Sequence, residues 1–362
     1  MLVLCPYPRN TGAGQRMKYE PYIEDWESEG WEVTISPFMT MQMFTIAWSR
    51  GKLLQKAFWT IFGFAKRIVD LCCVRQYDLV YIYMWVTPFG GIGPEKMVRR
   101  LARSVVYDIE DDVLEPPSEP HPLVPKVIAP LMDRTRKVRF LAANADAAIV
   151  ASPFLIDPLL QLRSGNAFYI PPSLDMDRMC PRPSETAPNS TPIIGWTGTL
   201  TGKPYLDIMA EPLRKLSQRR QFKFRTLTNF DYEMPGVDLQ VIRWTSEREV
   251  EDLQAFDIGV YPLIDDKWSC GKAGLKIIQY QALGIPCVVT DAPLARLQIK
   301  DGKTGFLAKH VEDWVNYLEM LIDDNALRKS IGRAGRSDAL TRYSRPVIRC
   351  KYREVLEKAS DS

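Results

Sequence analysis

Gly271-Lys272-Ala273-Gly274-Leu275-Lys276-Ile277-Ile278-Gln279-Tyr280-Gln281-Ala282-Leu283-Gly284-Ile285-Pro286-Cys287-Val288-Val289-Thr290 reads as a glycine loop, a helix, a Gly-Pro break and a buried strand. Lys272 and Lys276 stand where the loop turns into the helix. A helix start carries unpaired N–H groups and a partial positive charge, and two ammonium groups add to it. That combination suits a diphosphate.

Outward from this stretch, strands and helices alternate. Ile193–Trp196, Lys223–Thr228, Leu239–Ile242 and Ile258–Tyr261 read as strands, with helices over Tyr205–Arg219, Glu247–Ala255 and Val311–Asp323 and on to Lys358. Upstream, Leu2–Cys5, Trp31–Ser36, Asp78–Tyr83, Ser104–Ile109, Ala147–Ala151 and Ala167–Ile170 repeat the pattern, with helices over Gln15–Gly30 and Pro94–Arg103. Between the halves, Pro171, Pro172, Pro181, Pro183, Pro188 and Pro192 interrupt regular structure. The expected fold is α/β: two doubly wound parallel-sheet domains with a cleft between them. The expected borders are 1–172, a linker at 173–191, a second domain at 192–340, and a terminal helix at 341–362 that crosses back to the first domain.

Composition narrows the function. The chain has 362 residues, 46% hydrophobic and 25% charged, which is ordinary for a globular protein and long enough for two cores. A net charge of only +3 argues against bulk nucleic-acid binding. Seven scattered cysteines without a CxxC argue against a disulfide framework, and two histidines against a histidine-based metal site. These features fit a reducing cytosol. Met1–Cys5, followed at once by Pro6 and Pro8, reads as a first strand and not as a signal peptide. No apolar run approaches the ~20 residues that span a bilayer.

Residues 44–74 differ from the rest. Trp48, Phe58, Trp59, Phe62 and Phe64 interleave with Arg50, Lys52, Lys56, Lys66 and Arg67. A basic, aromatic-rich amphipathic helix suits a membrane interface. A core-facing helix with lysines on its wet side is the other reading.

Three further stretches could carry chemistry. The loop Pro8–Arg16 follows the first strand; its Gly12 and Gly14 admit a ligand to the backbone, and Arg16 adds charge. It is not a dinucleotide fingerprint, because Met17 holds the place of the last glycine; in the second candidate, Gly91-Ile92-Gly93, Lys96 does. Gly195–Lys203 follows the first strand of the second half, and its Gly198, Thr199 and Lys203 suit phosphate oxygens, as well as an ordinary strand–helix turn. The acids Asp108, Glu110, Asp111 and Asp112 end a first-half strand, where they could orient a hydroxyl, act as a base, hold a metal, or form a solvated loop.

Taken in order, these motifs resemble family 4 of the retaining glycosyltransferases over nearly the whole chain. Gly271–Thr290 resembles its donor-site signature, Gly12–Phe38 its first loop and helix, and Tyr107–Leu114 its Y-D-I-x-D-D segment. Ile194–Leu206 resembles its G-W-x-G turn, and Arg328–Tyr343 its C-terminal R-x-x-I-G-x-x-G-R helix. The resemblance implies a GT-B fold of two Rossmann-like domains, with the acceptor mainly on the first and a nucleotide-diphosphate sugar on the second. It implies hexosyl transfer to an acceptor hydroxyl with retention, giving an α-linkage, with no essential metal or other cofactor. A setting in bacterial surface-polysaccharide or glycolipid synthesis at the inner face of the membrane follows from the family.

The donor-binding candidates are then Gly12, Gly14, Arg16, Gly198, Thr199, Lys203, Lys272, Lys276 and Gln279. The catalytic candidates are Asp111, Asp112 and Lys276. The sequence departs from the broader family at Gly271 and Gln279, where two glutamates are usual, and it lacks the histidine often found in the first-domain acidic segment. Three rivals remain: a sugar-nucleotide epimerase of similar fold, a transferase using the acids of 108–112 as metal ligands, and a non-catalytic sugar-nucleotide or partner-binding protein.

Overall fold

A computed structural model describes the chain except residues 48, 50, 111–113, 115–133, 163–165, 184–188, 265–268, 270, 361 and 362. It divides into two compact units. The first comprises Met1–Ser173, Gly271–Ala273 and Ile348–Ser362, and the second Leu174–Cys270 and Gly274–Val347.

The first unit is built on β1 (Leu2–Cys5), β2 (Thr34–Pro37), β3 (Leu79–Tyr83), β4 (Ser104–Ile109), β5 (Ala147–Val150) and β6 (Ala167–Tyr169). They form one parallel sheet in the order β2-β1-β3-β4-β5-β6. Its inner strands β1, β3, β4 and β5 are buried on both faces, so they read as continuous apolar runs, and alternate residues enter different cores. Leu2, Leu4, Val80, Ile82, Val105 and Tyr107 face one cluster, and Val3, Cys5, Tyr81, Tyr83 and Val106 the other. The second face is covered by Tyr22 and Trp26 and by Ile348, Tyr352, Val355 and Leu356 of the last helix, Arg345–Ser360. Arg349 fixes that helix to Asp25 (3.0 Å) and Glu29 (2.9 Å).

The second unit repeats the plan with β7 (Ile193–Gly198), β8 (Lys223–Thr228), β9 (Leu239–Arg243), β10 (Ile258–Tyr261), β11 (Cys287–Thr290) and β12 (Phe306–Ala308), in the order β12-β11-β10-β7-β8-β9, again all parallel. Helix Asn325–Tyr343 crosses helix Leu275–Ala282 at very close range. A Cβ on Gly332 would stand 2.0 Å from the carbonyl oxygen of Gly284, so only glycine fits there. The Arg336 guanidinium joins the two elements to the proline-bearing segment. It donates to the carbonyl oxygens of Met176 (2.8 Å), Met179 and Ala282. Residues 174–179, which the sequence pattern assigns to a linker, are therefore bonded into this unit, and Leu174 also takes a bridge beside Ser344.

Several helices are shorter than their sequence pattern suggests. Gln15–Gly30 resolves into Ala13–Met17, a 3-10 turn at Glu20–Tyr22 and Ile23–Ser28, because Pro21 interrupts the ladder. Residues 44–74 contain Met41–Ala47 and Leu53–Cys73, with Gly51 and Lys52 both at positive φ between them. Tyr205–Arg219 divides into Lys203–Asp207 and Ala210–Ser217.

Candidate functional site

In a doubly wound sheet, ligands bind beyond the carboxyl ends of the strands where the strand order reverses. In the second unit β8 lies on one side of β7 and β10 on the other, so the reversal falls between β7 and β10. Trp196 of β7 and Tyr261 at the end of β10 flank it. The Lys276 ammonium sits over both rings, 5.9 Å from the Trp196 centroid and 5.0 Å from that of Tyr261. Lys276 is the second residue of helix Leu275–Ala282, which starts from Gly274 at φ 67. A Cβ on Gly274 would stand 2.1 Å from Oε1 of Gln298, so both conformation and space demand glycine. The helix start and the lysine thus arrive together at the reversal point.

Trp196 also organises the β7 loop. A Cβ on Gly198 would meet its ring at 2.3 Å and one on Gly202 at 3.1 Å. Thr199 is exposed in this loop, with its hydroxyl 2.9 Å from that of Thr201. Lys203 has different partners from Lys276. It pairs with Asp207 at 3.0 Å and sits 5.3 Å from the Tyr232 ring, and the Tyr232 hydroxyl donates to the same carboxylate. For Lys203 to meet a phosphate this exposed pair must open, at a cost of under about 1 kcal/mol. Lys272 is half-buried in the preceding loop, and Gly271 is buried.

Gln279 is buried on the next turn of the helix. Its amide donates to Oε1 of Glu249 at 3.3 Å, and the Trp244 indole N–H donates to the same oxygen at 3.3 Å. The sequence expectation does not include Glu249. Its carboxylate stands beside the amide that replaces the family's second glutamate. No motif announces it, because helix Glu249–Gln254 meets Gln279 only through tertiary packing.

In the first unit, the loop after β1 is held from beneath. The Gln15 side chain accepts from the Tyr7 N–H (3.0 Å) and donates to the Tyr7 carbonyl (3.1 Å) and to Glu20 (2.9 Å). Glu20 in turn accepts from the Asn10 N–H at 3.0 Å. Burial raises the Glu20 pKa against these bonds. Gly12 abuts the Tyr7 ring, which a Cβ there would meet at 2.9 Å, and Arg16 is half-buried. Gly14 abuts Glu110: a Cβ would overlap its carboxylate at 1.9 Å, and that carboxylate accepts from the Tyr83 hydroxyl.

One expectation is corrected. The sequence pattern groups Asp108 with the acids open to a ligand, as base or metal ligand. The structure buries it completely: it pairs with Lys18 at 2.8 Å and accepts from the Tyr81 hydroxyl and, at 3.4 Å, from that of Tyr352. Strand alternation puts it on the face covered by the last helix, so its role is structural. Asp111 and Asp112 lie outside the described residues. Among the described residues, no group of three or more His, Cys, Asp or Glu stands in metal-binding proximity.

Residues 236–338 match the family model described as Glycosyl transferases group 1. The D-inositol 3-phosphate glycosyltransferase of Pseudarthrobacter chlorophenolicus is 32% identical over 134 residues, 36% of this chain and 30% of that protein. The chain thus matches under a third of that relative's length. Sucrose-phosphate synthase from Thermosynechococcus elongatus superposes with a TM-score of 0.68 at 16% identity, covering 99% of this chain and 98% of that one. Anabaena Alr3699/HepE in complex with UDP-glucose gives 0.66 at 14% identity, covering 100% and 99%. These likenesses show the fold: the two six-stranded sheets are the Rossmann-like domains of the GT-B class, as expected. The family match and the curated relative support a glycosyltransferase.

Proposed function

We propose that this chain is a retaining glycosyltransferase that moves a hexosyl group from a nucleoside-diphosphate sugar to an acceptor hydroxyl, giving an α-linkage. The observation that carries the reading is the Lys276 ammonium, seated over Trp196 and Tyr261 at the reversal point of the second sheet and on a helix start. It lies within the segment that matches group 1 glycosyl transferases. As the glycosidic bond breaks, negative charge grows on the leaving diphosphate. A fixed ammonium and helix N–H groups stabilise that charge more than they stabilise the ground state. A departing phosphate oxygen takes the proton of the attacking hydroxyl, so no bound metal is required.

In this reading Gly198 and Thr199 open the β7 loop to phosphate oxygens, with Lys203 and Lys272 as further cations. Gln279 and Glu249 meet the ribose. Gly12, Gly14 and Arg16 are further donor-binding candidates in this reading, and Asp111 and Asp112 orient the acceptor hydroxyl. The HepE complex makes UDP-glucose the first donor to try.

The test is a thermal-shift screen of UDP, GDP, ADP and CMP without metal, then with magnesium. One nucleoside diphosphate at about 100 times its dissociation constant is expected to add roughly 2.7 kcal/mol of stability without metal. A strict magnesium requirement overturns the metal-free mechanism, and no shift with any nucleotide overturns the donor site.

The reading extends to a membrane-bound acceptor. Helix Leu53–Cys73 leaves Leu54 (88%), Phe58 (62%), Ile61 (70%), Ile68 (62%) and Val69 (62%) exposed along one stripe. The basic and aromatic residues are divided differently from the sequence expectation. Trp59 and Phe64 pack toward Phe38, and Arg67 is buried on Ser36 and Asp70. Lys66 is spent on the Pro37 carbonyl at 2.7 Å, while Lys52 stays exposed; Trp48 and Arg50 lie outside the described residues. No helix among the described residues is long and apolar enough to cross a membrane. An apolar stripe with flanking charge suits the plane of an anionic bilayer. On vesicles with about a third phosphatidylglycerol, the protein is expected to co-sediment, and Leu54→Glu with Ile61→Glu to weaken binding about tenfold or more. Equal sedimentation of the variant rejects this surface.

A further inference from the structure

In the second unit, β9 is followed by helix Glu249–Gln254, which leads into β10 on the far side of β7 and β8. That connection starts beyond the carboxyl ends of the strands, the side on which a doubly wound sheet takes its ligand. Trp244 is the first residue after β9, and its backbone N–H donates to the Thr228 carbonyl at 3.1 Å, one step past the end of β9. Its indole N–H turns inward to Oε1 of Glu249 at 3.3 Å, and the same oxygen accepts from the Gln279 amide at 3.3 Å. Gln279 is 4% exposed and Glu249 8%, whereas Trp244 is 36% exposed.

Two donors on one oxygen fix the carboxylate, and the carboxylate restrains the rotation of the indole about its Cβ–Cγ bond. With the N–H held inward, what the side chain offers outward is apolar ring. Aromatic side chains of this size are mostly buried in folded proteins. Trp244 instead stands open on the ligand side, at a set orientation.

Residues three apart on a helix are neighbours on its surface, ~4.5 Å apart along the axis, so Lys276 and Gln279 of helix Leu275–Ala282 stand side by side. Read from the helix start, the groups are an ammonium, an amide with its carboxylate, and an aromatic ring. A nucleoside diphosphate has the complementary order of diphosphate, ribose hydroxyls and flat base. We infer that Trp244 is the platform on which the nucleobase of the donor stacks, and that Glu249 is the positioning residue that orients it. The inference deepens the glycosyltransferase reading and rests on its donor site. It names the residue that makes a nucleotide bind more tightly than a bare diphosphate. Every base has a π-face, so the platform adds affinity for a nucleoside without choosing the base.

Calorimetric titration with UDP, GDP, ADP and inorganic pyrophosphate tests it. On the wild type, at least one nucleotide is expected to bind more tightly than pyrophosphate. Trp244→Ala is expected to weaken the tightest nucleotide about tenfold or more and to leave pyrophosphate within about twofold. Trp244→Phe keeps a ring face, so most of the nucleotide affinity is expected to remain, and this variant serves if the alanine variant does not fold. A base stacked on an indole quenches its emission. The nucleotide is therefore expected to quench tryptophan fluorescence more than pyrophosphate does, and Trp244→Phe to abolish that difference, which a merely structural tryptophan would not produce. Glu249→Gln offers the two N–H groups a weaker, neutral acceptor, and an intermediate loss is expected for the nucleotide alone. Unchanged nucleotide affinity in Trp244→Ala, or an equal loss for nucleotide and pyrophosphate, overturns the platform. No loss in Glu249→Gln overturns its positioning role. The donor reading fails in a different way. If neither pyrophosphate nor any nucleotide binds the wild type, the donor site falls and the platform with it; if pyrophosphate binds as tightly as every nucleotide, the anion site stands and the platform alone is refuted.

Discussion

Lys276→Ala is expected to lower kcat by about 10²- to 10³-fold, the scale on which single groups facing transition-state charge act. The substitution keeps a strong helix former in helix Leu275–Ala282, so the element that positions the site survives. It removes the ammonium over Trp196 and Tyr261, and stability should fall only by the loss of two ring contacts, about 1–2 kcal/mol together. Lys276→Arg restores charge but puts a wider, planar group over the same two rings, so a partial recovery is expected. The measurement is nucleoside-diphosphate release with a competent acceptor, beside a melting curve for each variant. If the alanine variant turns over within about threefold of wild type, the charge at this position does not face the leaving group, and the mechanism must rest on other cations.

This residue is legible in the sequence because its neighbours constrain it twice. Gly274 and the following apolar spacing announce a loop that becomes a helix, and a lysine one step inside such a start has few other places to go. The strands are legible for a similar reason: in a sheet covered on both faces they are short unbroken apolar runs, as in Leu79–Tyr83 and Ser104–Ile109. β12, only Phe306–Ala308, is too short to show as a run. Helix Thr135–Asn144 is hidden because its lysine is buried. Lys137 points inward to the Thr87 and Phe89 carbonyls, so the polar positions do not mark a wet face.

The remaining parts of the site depend on distant chain segments. Glu249 meets Gln279 across 30 positions. Local pattern reports spacing along one element, and this pairing has no local signature. Asp108 misleads for a subtler reason. Alternation along β4 places Val106 and Asp108 on one face, but the sequence does not say which face the last helix covers.

That burial makes Asp108 costly to replace. Its carboxylate neutralises Lys18, whose side chain is equally inaccessible, and it accepts from the hydroxyls of Tyr81 and Tyr352. Lys18 also donates to the Ile170 carbonyl at 3.1 Å, so it is held in place and cannot reach water by a rotamer change. Asp108→Ala therefore strands a buried ammonium and unpairs two hydroxyls, and the first unit is expected to lose about 3–5 kcal/mol. Removing both charges is a different matter. Lys18→Met with Asp108→Leu replaces an ion pair by apolar groups of similar bulk, and much of the loss should be recovered, because the desolvation penalty goes with the charges. Urea unfolding followed by tryptophan fluorescence reads both variants. Since the chain has two units, the transitions need to be separated, and UDP, which binds the second unit in the proposed reading, identifies which is which. If Asp108→Ala shifts neither transition by more than about 1 kcal/mol, the buried pair is not holding the last helix against the sheet. The acid would then regain its claim to a role in the reaction.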